Sequence, residues 1–342
     1  MKHRTFFWFF LPTGAAMLLF IFFPIVSVLT QSVFAPHEPV LITVENCTPF
    51  RCTEETTIDQ DATAELREAR PMGRFVGADV YLNRGRLAVT EVAEAWRTTD
   101  SFGAFLSELS DLPFYRALAF TLTYTFVCTP FLIILGFAIA VAVNSLHRAL
   151  KGFMIFFSLL PMIVTPLIGA LVLSWMLDSR GILGKFLSWL VDDPTLSVFA
   201  STPLMWLCLI IYGIWSSAPF AFVVFYAGLQ TLPQDQIEAA QIDGATRWQQ
   251  IRYITIPHLM PLVTFVALIQ LMDNFRVLEP IIGFQAQAHA QSLSTFILSD
   301  LSGETRALSS AAATSVLTIL GVAILLTPVL IRTWRDFNRK SH

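Results

Sequence analysis

The chain has 342 residues, of which 55% are hydrophobic and 14% carry charge, with a mean hydropathy of +0.63 and a formal net charge of −3. So large an apolar fraction exceeds what a water-exposed surface can cover, which excludes an ordinary soluble globular protein. Most of the chain is predicted to lie in lipid.

Six long apolar runs are predicted to cross the membrane as helices, each of which needs about 20 mainly apolar residues. The runs cover residues 5–37, 117–146, 152–177, 194–234, 259–272 and 307–331. The fifth run is short, but it continues through a few polar residues to about residue 284. All are apolar on every side and lack the period-two alternation of barrel strands. The fold class is therefore predicted to be an all-α membrane protein with six transmembrane helices.

The first run has a small-residue pattern near its end, as signal peptides do, but its apolar region is too long, and we expect an uncleaved anchor. The segment of about 80 residues that follows it, 34–113, holds 14 acidic and 7 basic residues. Within it, 54–70 is a solvated, charge-rich stretch that a helix would suit. Residues 90–109 have apolar side chains at helical spacing, which predicts an amphipathic helix near the membrane surface.

Two cysteines lie in this outer segment. Cys47 and Cys52 are separated by four residues, and an oxidising periplasm would allow them to form a disulfide. Two unpaired thiols remain the alternative, because the spacing alone does not decide.

Basic residues in the short flanks predict the orientation, since they favour the cytoplasmic side. These residues are Lys2, Arg4, Arg148, Lys151, Arg332, Arg335, Arg339 and Lys340. Both termini are then cytoplasmic and the 34–113 loop is periplasmic. The predicted organisation is a tail with the first helix (1–33), the periplasmic loop (34–113), a five-helix core (114–332) that contains the cytoplasmic loop 231–258, and a tail (333–342).

The cytoplasmic loop carries the pattern that bears on function. Pro233 ends the fourth helix, and a short helix of good helix formers is predicted to follow it. Gly244 permits a turn, and Thr246 is positioned to cap a second short helix with an apolar stripe at Trp248, Ile251 and Ile254. Pro257 and Pro261 are expected to bend the chain where it re-enters the bilayer. A loop of about 25 residues cannot build its own core, so its apolar stripe predicts a partner protein, or else contact with lipid headgroups.

This loop resembles the signature of the permease subunits of binding-protein-dependent ABC importers, in which Glu-Ala-Ala precedes three residues, a Gly and a spaced Ile-x-x-Pro. In that family, which has the type I importer permease fold, the segment forms a coupling helix that docks into a groove on the ATPase subunit. The positions that match are Glu238, Ala239, Ala240, Asp243, Gly244, Ala245, Ile254, Pro257 and Pro261. The resemblance implies that the alanines permit close approach and that Glu238 meets basic groups of the ATPase.

The flanks resemble the carbohydrate-uptake branch, which is related to the maltose permeases. The runs Ala-Gly-Leu-Gln at 227–230 and Met-Asp-x-Phe-x-Val at 272–277 carry this likeness, which covers about 114–332. The long periplasmic loop departs from the shorter loop usual in six-helix members, so its role is open; it is a candidate docking surface for the binding protein.

The resemblance implies a transport subunit that imports a small solute, such as a sugar, polyol or sugar derivative. It would work in the bacterial inner membrane with a second homologous permease subunit, a dimer of ATPase subunits and a periplasmic solute-binding protein. The chain itself has no Gly-x-x-x-x-Gly-Lys-Ser/Thr loop and no metal motif, so it is expected to be no enzyme and to bind no cofactor. ATP and Mg²⁺ would bind the partner ATPase. The alternatives are import of a non-sugar solute such as a polyamine or phosphate ester, a secondary transporter, or a membrane scaffold.

A polar cluster interrupts the fifth apolar run. Asp273, Asn274, Arg276 and Glu279 are costly at membrane depth, where such groups usually face a cavity or a partner. They are candidates for the translocation path. Alternatively, Asp273 and Arg276 form an i, i+3 pair that fixes helix packing.

Overall fold

The computed structural model describes residues 3–35, 37, 40–48, 51–69, 73–99, 101–192, 197–303 and 307–339. The chain forms two compact units. The first joins Met1–Tyr115 to Phe296–Leu320, and the second joins Arg116–Thr295 to Gly321–His342.

The first unit begins with a long apolar helix that contains one wide turn. Its parts are α1 (His3–Met17), a π-helical turn (Leu18–Phe22) and α2 (Phe23–Gln31). The N–H of Phe23 donates to the carbonyl of Leu18, five residues back, immediately before Pro24. Because proline cannot donate, this shift of register lets the helix continue past it.

Two small antiparallel sheets lie in the predicted periplasmic loop, where the all-α prediction did not include strands. The strands are β1 (Phe34–Ala35), β2 (Leu41–Thr48), β3 (Arg51–Ile58) and β4 (Arg74–Phe75). β1 pairs with β4, and β2 pairs with β3 across a two-residue connection. β-branched residues are frequent in β2 and β3, which suits a pleated ladder. The charge-rich stretch 54–70 is consequently a helix only in its second part, α3 (Gln60–Ala69).

The described residues of this segment form three further helices: α4 (Asp79–Leu82), α5 (Val89–Thr98) and α6 (Phe102–Asp111). The single amphipathic helix predicted over 90–109 is therefore two helices. The reason is local: Thr99 and Ser101 are extended, and the Ser101 hydroxyl accepts a hydrogen bond from the Ala104 N–H at 3.2 Å, which begins a new helix.

A buried arginine fixes the first unit internally. The Arg86 side chain is only 3% exposed and forms an ion pair with Asp300. Its guanidinium also donates to the hydroxyl and carbonyl of Ser310, and lies 4.8 Å from the centroid of the Phe296 ring. Burial lowers the pKa of Arg86, and the carboxylate of Asp300 opposes that shift. One side chain thus joins the segment before α5 to residues 296–310.

Helices follow one another through the rest of the chain. They are α7 (Pro113–Ser145), α8 (Arg148–Ile163), α9 (Pro166–Leu177), α10 (Ile182–Val191), α11 (Thr202–Gln230), α12 (Gln234–Ile242), α13 (Arg247–Gln250), α14 (Ile256–Phe275), α15 (Glu279–Gly283), α16 (Leu293–Ser302) and α17 (Leu308–Arg339). A π-helical turn (Ile251–Thr255) joins α13 to α14, and short 3-10 helices cover Val198–Ala200 and Ala286–Ala288.

Within the described residues, five helices are long and apolar enough to cross a membrane, and the count is six if α8 and α9 form one span. The five are Phe7–Gln31, Pro113–Ser145, Thr202–Gln230, Arg247–Phe275 and Leu308–Arg335. The predicted run 152–177 is not one straight helix, because α8 and α9 meet at 91°. Thr165 precedes Pro166, and the proline ring disfavours helical geometry at the residue before it, so Val164 and Thr165 are extended.

Two apolar clusters hold the second unit together. The first includes Phe120, Tyr124, Leu209, Tyr212, Ile281 and Phe284, and the second includes Leu132, Val143, Phe222, Phe225, Leu259 and Val266. α15 approaches α9 closely, since a Cβ atom at Gly283 would lie 2.5 Å from the Cβ of Ala170. Only glycine permits this contact.

Candidate functional site

The segment between α11 and α14 folds as a helix, a tight turn and the start of a long helix. Pro233 precedes α12 in an extended conformation. The Leu232 side chain just before Pro233 is buried, and it anchors the start of the segment to the protein core. From Pro233 onward, most side chains of α12 are exposed.

The turn after α12 is a Schellman motif, and it confirms the predicted turn at Gly244. The Ala245 N–H donates to the Ala240 carbonyl at 2.9 Å, and the Gly244 N–H donates to the Gln241 carbonyl at 3.0 Å. Gly244 has a φ of +78°, in the left-handed region that glycine adopts at little cost. Two carbonyls at the end of α12 are thereby satisfied, and the direction of the chain after it is fixed.

A capping box starts the next helix at Thr246. The Gln249 N–H donates to the Thr246 hydroxyl at 3.4 Å, and the Thr246 N–H donates to the Gln249 side-chain oxygen at 2.7 Å. The predicted cap at Thr246 is confirmed. Together, the Schellman motif and this capping box fix the backbone conformation between α12 and α13.

The predicted second short helix is wrong, because it continues into a long helix, whereas the bend predicted at Pro257 and Pro261 stays a prediction. α13, the π-helical turn and α14 form a single helical span of 29 residues, Arg247–Phe275. The N–H of Ile256 donates to the carbonyl of Ile251, immediately before Pro257. As at the N-terminal helix, the wide turn absorbs the missing donor of the proline, so the helix continues instead of breaking.

The predicted coupling residues lie on or beside this exposed segment. Glu238, Ala239, Asp243, Gly244, Pro257 and Pro261 are exposed, whereas Ala240, Ala245 and Ile254 are partly buried. Three large apolar side chains of the same segment, outside the predicted set, are strongly exposed: Ile242 is 86% exposed, Trp248 68% and Tyr253 67%. Sequence reasoning assigned no role to Tyr253. Its position as an aromatic residue beside Arg252 in a short polar loop could have indicated a role.

The polar residues predicted to line a path surround a cavity near the end of α14. The cavity has a volume of about 500 Å³, and its lining includes Asp273, Asn274, Arg276, Glu279 and residues of α7 and α11 such as Tyr124 and Ser216. The Arg276 guanidinium donates to the Asp273 carboxylate at 2.9 Å, which is the predicted i, i+3 pair. Both side chains are half-exposed, so the pair does not lock a buried packing contact.

Asn274 differs from its charged neighbours, because it is buried and its amide donates to the Thr129 hydroxyl of α7 at 3.0 Å. It joins two helices at the edge of the cavity. One helical turn earlier, Gln270 is also buried, and its side-chain oxygen has no hydrogen-bond partner among the described atoms. The sequence analysis missed Gln270. Its position four residues before Asn274, on the same face of an apolar helix, could have indicated Gln270 as a further candidate.

The backbone register places Cys47 directly opposite Cys52 in the β2–β3 hairpin. Their side chains lie outside the described part of the structure, so the disulfide stays a prediction. In the described residues, no group of three or more His, Cys, Asp and Glu side chains could hold a metal ion.

Comparison with known proteins places the chain among transport proteins. Residues 132–334 match the family model described as the binding-protein-dependent transport system inner membrane component. The chain is 30% identical over 183 residues to the trehalose/maltose transport system permease protein MalF of Thermococcus litoralis, covering 51% of this chain and 59% of that protein. It is 28% identical over 184 residues to the trehalose transport system permease protein SugA of Mycobacterium tuberculosis, covering 52% of this chain and 57% of that protein. The matches thus span less than two thirds of these relatives.

The fold resembles that of a chain in the crystal structure of a bacterial ABC transporter involved in the import of the acidic polysaccharide alginate. The TM-score is 0.64 at 20% sequence identity, and the superposition covers 98% of this chain and 96% of the other. At this identity the likeness concerns the fold alone. The family match covers more than half of the chain and includes the exposed segment and most of the cavity lining, and the chain therefore belongs to the inner membrane components of binding-protein-dependent transport systems.

Proposed function

We propose that this chain is the membrane-spanning subunit of an ATP-driven importer that passes a small solute from a periplasmic binding protein into the cytoplasm. The observation that carries the proposal is the exposed apolar surface of the segment between α11 and α14. Ile242 and Trp248 lie on either side of a turn that two hydrogen-bonded motifs hold in one conformation, and Tyr253 follows Trp248 in the same helical span. A preformed apolar surface on a short polar loop is what a docking partner would cover.

The partner that fits is an ATPase subunit, because the chain has no phosphate-binding loop of its own. ATP and Mg²⁺ would bind to that subunit, and this chain would contribute Glu238, Ala239, Ala240, Asp243, Gly244 and Ala245 to the contact. A dimer of such ATPases requires a second, homologous permease subunit to receive the other copy. The basic flanks support a multi-pass protein of the bacterial inner membrane with both termini in the cytoplasm.

We propose that the continuous helix Arg247–Phe275 couples the docked turn to the cavity. Trp248 and Asp273 belong to this one helix and are separated by about 38 Å at 1.5 Å per residue. A displacement of the docked turn by the ATPases would tilt this helix as a rigid lever and change the access to the cavity at its other end. The charged groups Asp273, Arg276 and Glu279 would then lie along the path, whereas Asn274 would position α14 against α7.

The solute class follows from the relatives. The named relatives are permease proteins of trehalose/maltose and trehalose transport systems, so we propose a sugar, polyol or sugar derivative as the solute. The lining of the cavity suits such a molecule, because the hydroxyls of Ser216 and Ser217 and the charged pair can form hydrogen bonds with sugar hydroxyls.

Assembly with the ATPase tests the docking step. Glu238→Arg and Ile242→Ser alter one side of α12, and both should abolish co-purification of the ATPase subunit and ATP-dependent uptake. Gln236→Arg places a charge on the opposite side of the same helix and serves as the control, which should assemble normally. Unchanged assembly and uptake in the first two variants would refute the importer.

Uptake into proteoliposomes tests the solute class. Vesicles that contain the complete transporter with its binding protein should accumulate labelled trehalose, maltose or a related polyol when ATP is supplied to the ATPase side. Uptake of spermidine or glycerol 3-phosphate instead would keep the importer and overturn the sugar. Uptake driven by an ion gradient without ATP would indicate a secondary transporter.

A further inference from the structure

Helix α5 has one apolar side that the protein covers only in part. Val89, Val92, Ala93 and Trp96 recur at three- and four-residue spacing and so share one face. Trp96 is 66% exposed, whereas the residue of α5 that is buried, Ala95, lies outside that face. The apolar face of an amphipathic helix normally covers a core, so this exposure requires another explanation.

Helix α6 repeats the arrangement. Phe102, Phe105, Leu106 and Leu109 form its apolar face, and Phe102 is 71% exposed. The rings of Phe105 and Trp96 meet edge to face at 5.2 Å, which joins the apolar faces of the two helices. The exposed surface is therefore continuous across α5 and α6, and we refer to residues 89–111 as the paired-helix segment.

The paired-helix segment is tied at both ends to the first turn of α7. Leu112 alone separates α6 from α7, whose 33 residues form a candidate membrane span. The Tyr115 hydroxyl, in the first turn of α7, donates to the carbonyl of Leu87 at 2.8 Å, two residues before α5 begins. A 33-residue helix is about 50 Å long, against a hydrocarbon core of roughly 30 Å, so its ends lie in the headgroup layers. The paired-helix segment is thereby held beside a membrane boundary.

We propose that the paired-helix segment lies in the headgroup layer of the bilayer and inserts its apolar face between the outer ends of the acyl chains. The partner is the phospholipid surface itself. Tryptophan and phenylalanine on one face of a helix that runs along the boundary suit this position. The open apolar hollow of about 450 Å³ beside Trp96 and Phe105 is then filled by lipid.

The net charge of the paired-helix segment indicates how the segment would bind to the bilayer. The paired-helix segment carries five acidic residues against Arg97 alone, a net charge of −4. Anionic headgroups therefore repel it, and the attachment depends on burial of apolar area. It should form on zwitterionic phosphatidylcholine and should not need anionic lipid or low salt.

Spin labels in the full chain, reconstituted in phosphatidylcholine nanodiscs, test the proposal. Phe102→Cys and Leu106→Cys replace the apolar face, and Ser107→Cys and Glu94→Cys are the matched controls on the polar faces. Labels at 102 and 106 should be relaxed more strongly by oxygen than by a water-soluble nickel chelate, with the reverse at 107 and 94. Equal access to the nickel chelate at all four positions would overturn the proposal. Protection from both reagents at 102 and 106 would also overturn it, since the face would then be covered by protein, as a binding-protein docking surface would be.

A second measurement needs no cysteine substitution. Phosphatidylcholine brominated near the top of the acyl chain should quench part of the tryptophan fluorescence, and that part should be lost in Trp96→Phe. The lost part should be the same in 0.1 M and 1 M salt. Identical quenching in the wild-type chain and Trp96→Phe would refute the insertion of this side chain.

Discussion

Replacing Gly244 offers a graded test of the turn on which coupling is proposed to depend. Its φ of +78° is left-handed, and a Cβ atom built there has no neighbour within 4 Å. The cost of Gly244→Ala is therefore backbone strain alone, about 1–2 kcal/mol. Such a cost lowers the population of the native turn, relative to alternative conformations, by roughly 5- to 30-fold.

The measurable consequence is a weaker ATPase contact. If docking requires the native turn, the apparent Kd for the ATPase subunit rises as the population of that turn falls. Titration of the detergent-purified permease complex with ATPase subunit should give an apparent Kd that increases in the order wild type, Gly244→Asn, Gly244→Ala, Gly244→Val. Asparagine tolerates the left-handed region and a β-branched residue does not. Gly152→Ala is the control, since that glycine is equally open but lies in α8 without a positive φ. Wild-type affinity in Gly244→Val would refute the reasoning.

Three other predictions concern a buried ion pair, a disulfide and a close contact between helices. Arg86→Leu should lower the free energy of unfolding in mixed micelles by about 3–5 kcal/mol, because it leaves the Asp300 carboxylate without its partner, and the double variant Arg86→Leu/Asp300→Leu should recover much of the loss; a double variant as unstable as the sum of the two single variants would contradict this. Alkylation of the denatured chain should modify two of the four thiols before reduction and all four after it if Cys47 and Cys52 are bonded, and two in both cases in Cys47→Ser/Cys52→Ser, as counted by mass spectrometry; four modified thiols in the unreduced wild-type chain would exclude the disulfide. Gly283→Leu should lower the free energy of unfolding by about 1–3 kcal/mol, because it forces α15 away from α9. An unchanged melting temperature would show that the two helices accommodate the larger side chain.

The segment between α11 and α14 shows how far local pattern reaches. The turn at Gly244 and the cap at Thr246 follow from residue type, since each is satisfied by hydrogen bonds within a few residues. The continuity of the helix through Pro257 did not follow, because the proline rule names the missing donor but not the wide turn that compensates for it.

The 34–113 segment shows where pattern was insufficient. Its amphipathic character was visible, but the division at Ser101 and the β2–β3 hairpin were not, since short elements depend on capping and pairing that composition does not reveal. Nothing local to Arg86 predicts Asp300 and Ser310 as partners, because more than 200 residues separate them in the sequence.

The sequence by itself determined that the chain spans a membrane, how many apolar runs it has and where the turn at Gly244 lies. These features depend on hydropathy over about 20 residues and on hydrogen bonds between near neighbours. Only the tertiary structure decided that Asn274 forms a hydrogen bond to α7 at the cavity that Asp273 and Arg276 also line, that Gly283 permits contact with α9, and that α5 and α6 leave their apolar faces exposed. Those features depend on which surfaces meet, and the chain brings those surfaces together from distant positions.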